Sequence, residues 1–135
     1  MSDISAVIES FKRCVSREDF FTRFYENLFE ADPSLKSKFS NTNFDMQKTL
    51  LRKGVTTLIM RESGIQAANI SLDRIAETHG EAGFNVTPYQ YRTWVQSMLL
   101  TIRGGDPEFS PILEEAWRKV LTDGVEYMIK ATQKV

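Results

Sequence analysis

The chain has 135 residues, a formal net charge of −1, 41% hydrophobic residues and a single cysteine, Cys14. That length suits one domain with one core, the near-neutral charge leaves no footprint for nucleic acid, and the ordinary hydrophobic content argues against disorder. A lone cysteine excludes an intrachain disulfide framework and fits a reducing compartment, no apolar run approaches the roughly 20 residues of a membrane span, and the acidic opening MSDISAVIESF lacks a signal peptide's basic start, so a soluble, cytoplasmic protein is expected.

Helical spacing dominates from the start. Ile4, Val7, Ile8 and Phe11 form a first apolar stripe. Ser16 reads as an N-cap with Asp19 as its reciprocal partner, ahead of a heavily aromatic helix carrying Phe20, Phe21, Phe24, Tyr25, Leu28 and Phe29. Asp32-Pro33 combines a cap with a first-turn proline and should start a short helix through Leu35 that ends near Phe39. After a polar bridge at 40–43, a helix is predicted from Phe44 to Met60, with Phe44, Gln47, Leu51, Val55 and Leu58 inward and Gly54 beside them. Gln47 is the anomaly on that face, a polar amide among apolar side chains. Residues 61–69 yield no clear element.

Ser71 reads as the cap of the next helix, whose Leu72, Ile75, Ala76 and His79 sit at i, i+3, i+4 and i+7 and share one face; Gly80 and Gly83 stop it. Thr87-Pro88-Tyr89-Gln90 joins a cap, a first-turn proline and a third-position glutamine. The helix it opens carries Tyr91, Trp94, Val95, Met98, Leu99 and Ile102. Ser110-Pro111 opens the last helix, whose core face is Ile112, Leu113, Trp117, Val120, Leu121, Val125, Met128 and Ile129. These two long helices are joined by a tight GGDP turn and should pair antiparallel. The expectation is an all-α fold of seven to eight helices, too uneven in length for a simple four-helix bundle.

His79 is the one histidine. A buried imidazole must satisfy one nitrogen as donor and the other as acceptor, so it is either a core histidine bonded to a backbone carbonyl or a metal ligand. A protein-only zinc site needs three or four ligands. Haem iron needs one, because the porphyrin supplies the other four nitrogens.

At this point the chain resembles a globin, of the bacterial single-domain and flavohaemoglobin type. The resemblance is carried by FYENLFEADPSLKSKF (Phe24–Phe39), MQKTLL (Met46–Leu51), RIAETHGEAGF (Arg74–Phe84) and the pairs Pro88-Tyr89 and Ala116-Trp117. It covers nearly the whole chain, and its strength is in the order of the set. It implies a single globin domain over 1–135, a three-over-three helical sandwich, and a haem b cofactor. In that frame His79 is the proximal iron ligand and Phe39 packs on the haem plane. Tyr25 and Gln47 face the gas ligand, with Phe44 and Leu51 as apolar walls, and Phe84, Val86 and Tyr89 line the proximal and back side. The implied ligands are dioxygen, nitric oxide and carbon monoxide, for oxygen binding or transport, sensing, or nitric oxide detoxification. The molecule would be a monomer or homodimer.

The residue types suit that chemistry. Dioxygen held at ferrous iron is partly negative, so buried donors such as a phenol and an amide stabilise it. A proximal imidazole should donate its other N–H to a nearby acceptor, which fixes the ring. One departure stands out: the family's late carboxylate beside the proximal histidine falls on Thr132, and Glu126 lies nearly two turns earlier. No reductase domain is expected beyond Val135, so nitric oxide dioxygenation would need an external reductase. The competing reading is a haem-free globin-fold signalling or interaction module. Such a module has no need of Tyr25, Phe39, Gln47 and His79 together.

Overall fold

Seven helices form among the described residues, 3–79 and 86–133 of the computed structural model: α1 (Asp3–Val15), α2 (Phe20–Ala31), a 3-10 helix (Pro33–Phe39), α3 (Phe44–Glu62), α4 (Ala67–His79), α5 (Pro88–Gly105) and α6 (Pro111–Gln133). None of them is long and apolar enough to cross a membrane. Helix α6 is the centre of the assembly: α1, α3, α4 and α5 all pack on it, while α2 packs on α5 and α3 on α4. The apolar stripes of the sequence become the core, with Phe20, Phe24, Leu72, Met98, Ile102, Trp117 and Leu121 all but inaccessible. Gly124 lets α3 come close, because a Cβ there would meet the Leu58 side chain.

Local chemistry sets most boundaries. Asp32 accepts from the Ser34 N–H at 3.1 Å and Pro33 follows it, so the 3-10 helix starts where a cap and a fixed φ coincide. Asn43 caps α3 through the N–H groups of Asp45 and Met46. Thr87 and Gln90 form a reciprocal capping box at α5, with bonds of 3.0 and 3.1 Å. The Ser110 hydroxyl accepts from the Leu113 N–H at the start of α6.

Two expected caps are elsewhere. Ser16 does not cap α2; its hydroxyl donates to the Arg13 carbonyl at 2.7 Å, finishing α1, and Asp19 binds Arg23 instead. Ser71 does not start the histidine helix, which begins at Ala67 and already buries Ala68. The stop before it is Gly64, at φ +90, where the Ile65 N–H reaches the Met60 carbonyl and the Gly64 N–H the Arg61 carbonyl. This pair of bonds ends α3 as a left-handed glycine allows.

The α5–α6 turn holds a polar knot. Asp106, 2% exposed, takes the Ser10 hydroxyl at 2.6 Å and the Arg13 guanidinium at 2.6 and 2.9 Å. Ser10 in turn accepts from the Trp117 indole N–H at 2.9 Å. Burial pushes the Asp106 carboxyl up, but the bonds from Arg13 and Ser10 outweigh it and hold it below the usual carboxylate range.

Candidate functional site

Two groups of side chains carry chemistry, on helices that pack against one another. The first surrounds Tyr25. Because α2 places Phe24, Tyr25, Leu28 and Phe29 along one side, the Tyr25 ring is enclosed and 5% exposed. Phe39 from the 3-10 helix lies 5.6 Å from it, Phe44 from the first turn of α3 5.5 Å, and Phe29 5.9 Å, all between ring centroids. Phe39 and Phe44 are stacked on each other. Into this aromatic nest comes one amide, that of Gln47, close enough to the Tyr25 hydroxyl to act on its titration. Burial pushes that phenol up to about 12, against the opposing pull of Gln47, so it stays protonated and keeps a hydrogen to donate. Leu51, one turn beyond Gln47, is buried.

The second group surrounds His79. Leu72 and Ala76 are buried on the same face of α4, with Ile75 half-buried beside them. His79 Nδ1 lies 2.7 Å from the Ile75 carbonyl oxygen one turn back. A carbonyl only accepts, so Nδ1 carries the hydrogen and the ring lone pair sits on Nε2. Burial lowers the imidazole pKa below its ordinary 6.5, with the Ile75 carbonyl raising it in opposition. A neutral ring with its lone pair on Nε2 is the form that binds a metal. The His79 carbonyl also accepts from the Val86 N–H at 2.8 Å, which fixes the half-buried Val86 near the end of α4.

Several expected residues stand apart from these groups. Tyr89 is 67% exposed, and it is Tyr91, two residues on, whose ring stacks on His79 at 6.1 Å and 25°. By spacing Tyr91 belongs to the apolar stripe of α5, and its phase relative to Pro88 is the signal that turns it inward. Phe29, read as core, joins the nest around Tyr25. Phe84 lies outside the described residues, as does the Thr132 side chain. Glu126 pairs with Arg92 at 3.3 Å. Among the described residues no three His, Cys, Asp or Glu side chains gather as metal ligands. An open cleft of about 600 Å³ lies by Arg17, Arg103, Phe109 and Glu114 and shares no residue with either group.

The His79 titration has a measurable consequence. Its folded pKa lies below the unfolded value, so the unfolded chain takes up this proton first. Stability of the haem-free chain is then fully present above about 6.5 and is lost as pH falls from there toward the lowered folded value. Urea midpoints measured across that window should fall for wild type and fall less for His79→Gln. Parallel curves would assign the loss to other groups.

No protein-family model matches the chain, and no curated protein matches it either. Among solved structures it is similar to a crystal structure of a protein from Pseudomonas aeruginosa PAO1 that is described as structurally highly homologous to a human hemoglobin. The identity is 26% and the TM-score 0.91, over 97% of this chain and 98% of that one. With its helices in the same order and arrangement along nearly its whole length, the chain has the globin fold.

Proposed function

We propose that this chain is a haem-binding globin that holds one haem b on His79 and reversibly binds dioxygen, with nitric oxide and carbon monoxide as further ligands. The observation that carries the reading is the state of His79: a neutral imidazole, Nδ1 tied to Ile75, the lone pair on Nε2. One such nitrogen is the protein's whole requirement for haem iron. The bound haem would supply an open coordination position for a diatomic gas. The chain supplies the rest. Ile75 orients the imidazole, Tyr91 braces its face, and Phe39 and Phe44 offer flat apolar surface. Tyr25 and Gln47 are polar groups in an otherwise aromatic setting, suited to donate to a ligand that becomes negative.

The sequence motifs of the flavohaemoglobin type favour a bacterial gas-binding globin over a signalling module. Reversible oxygen binding needs nothing beyond the chain and its haem. Detoxification of nitric oxide would draw on a separate reductase to return the iron to its ferrous state. Ile75 is a neutral acceptor, so the imidazole receives less electron density than a carboxylate partner would give it. That favours carrying a ligand over cleaving it. An absorption spectrum after hemin titration and then reduction with dithionite is the direct test: a one-to-one endpoint and, once reduced, a histidine-ligated ferrous spectrum are expected, and a chain that leaves hemin free in solution would be a haem-free module.

The distal pair gives a sharper expectation. Bound dioxygen is polar and bound carbon monoxide much less so. Tyr25→Phe should therefore speed dioxygen release roughly ten-fold or more, the size of about 1.4 kcal/mol, and change carbon monoxide release far less. Gln47→Leu should act in the same direction. The double variant should be non-additive, since the two side chains would share one acceptor. Stopped-flow dissociation of both gases from the four proteins measures this. Equal effects on the two gases would make Tyr25 a packing residue.

A further inference from the structure

Tyr91 is 5% exposed, and its hydroxyl is buried with no hydrogen-bond partner among the described residues. Buried phenols ordinarily find one. Two other buried side-chain atoms share this condition, Glu62 Oε2 and Ser97 Oγ. Glu62 has its other oxygen on the Lys119 ammonium at 3.2 Å, and Ser97 lies nearly two turns further along α5. Tyr91 alone of the three lies against the candidate ligand, its ring near-parallel to the His79 imidazole at 6.1 Å. The fold thus carries a desolvated donor beside the imidazole, where a phenylalanine would pack as well without that cost.

We propose that Tyr91 is a haem-binding residue, its hydroxyl donating a hydrogen bond to a carboxylate of the haem held by His79. The inference rests on the reading of the chain as a haem protein and adds a residue to it. The acceptor follows from the chemistry of the group. The four porphyrin nitrogens are taken by iron and the rim is methyl and vinyl, which leaves the two carboxylates as acceptors. A bond to a charged acceptor is roughly twice as strong as one between neutral groups. One side chain then serves twice: its ring face braces the imidazole, and its tip holds the edge of the same ligand.

Tyr91→Phe keeps the ring and its stacking and removes only the oxygen. In the haem-free protein its urea midpoint should equal or exceed that of wild type, because an unpartnered buried hydroxyl is lost. In the hemin-loaded protein, release to a scavenging apoglobin should be about ten-fold faster, equivalent to about 1.4 kcal/mol. Hemin dimethyl ester, which lacks free carboxylates, should leave both proteins at the same rate. Unchanged hemin release from Tyr91→Phe overturns the proposal, as does an equal ratio for hemin and its ester. Wild type that takes up no hemin would overturn both this proposal and the haem reading beneath it. His79-dependent uptake with no Tyr91 effect would overturn this one alone.

Discussion

A His79→Ala chain is expected to lose its hemin at least about a hundred-fold faster than wild type, and what it retains should lack the histidine-ligated ferrous spectrum. The scale follows from a lesser injury: removing only the hydrogen-bond partner of a ligating histidine costs roughly 10–100-fold, and here the ligand itself goes. No second histidine exists to take its place. The folding cost should be small by comparison, because His79 is half-buried near the end of α4 and its Nδ1 bond is to a carbonyl within the same helix. Loss of hemin with near-normal helicity would therefore mark a ligand. Imidazole added to the variant should restore part of the spectrum by occupying the vacated position. An unaltered ferrous spectrum in the variant would move the ligand to another residue.

The largest effect on stability is expected at Asp106. Removing one partner of a buried ion pair costs about 3–5 kcal/mol, because the other charge stays behind without compensation. The Arg13 side chain is 29% exposed, so its guanidinium can turn partly to water, which places Asp106→Ala near the lower end, about 3 kcal/mol. For a domain of this size that is roughly a 10 °C fall in melting temperature. Arg13→Ala reverses the situation: it strands a carboxylate that is fully enclosed, although Ser10 and the Glu108 N–H still donate to it. The double variant should cost clearly less than the sum, since both single changes destroy the same contact. Thermal melts of the four proteins test this. Strict additivity would mean that the two side chains contribute separately and that the knot is not a unit.

What could be read from the sequence was local. Pro33, Pro88 and Pro111 fix φ where helices begin, and Asp32, Thr87 and Ser110 supply oxygens to the first N–H groups, so those boundaries follow from a few adjacent residues. The aromatic stripe of α2 and the inward face of His79 follow from helical spacing in the same way. Ser16 and Ser71 misled because a hydroxyl caps only from the residue just ahead of a helix: Ser16 lies four positions before α2 begins, and Ser71 lies inside α4. Asp106 was invisible for a different reason. It reads as a turn residue in GGDP, yet its partners Ser10 and Arg13 are 96 and 93 positions away. Tyr89 and Tyr91 differ by about 200° around a helix, and the spacing of Tyr91 with Trp94, Val95 and Met98 already turns it inward; that its ring meets His79 could not be read, because His79 lies on another helix.

The position of α6 at the centre of the molecule has a consequence for biosynthesis. Tyr25, Gln47, His79 and Tyr91 are all polymerised before Pro111, yet α1, α3, α4 and α5 are each held by packing on the segment that begins there. A nascent chain stopped short of α6 would lack the surface on which α1, α3, α4 and α5 pack, and would leave Leu58 without its seat at Gly124. The 23 residues of α6 take about one to five seconds to add at ordinary ribosomal speed. During that interval the chain is a substrate for holdase chaperones and proteases. Prematurely terminated products should be degraded rather than accumulate as partial folds. Assembly of the pocket is therefore a late event that waits for the synthesis of α6.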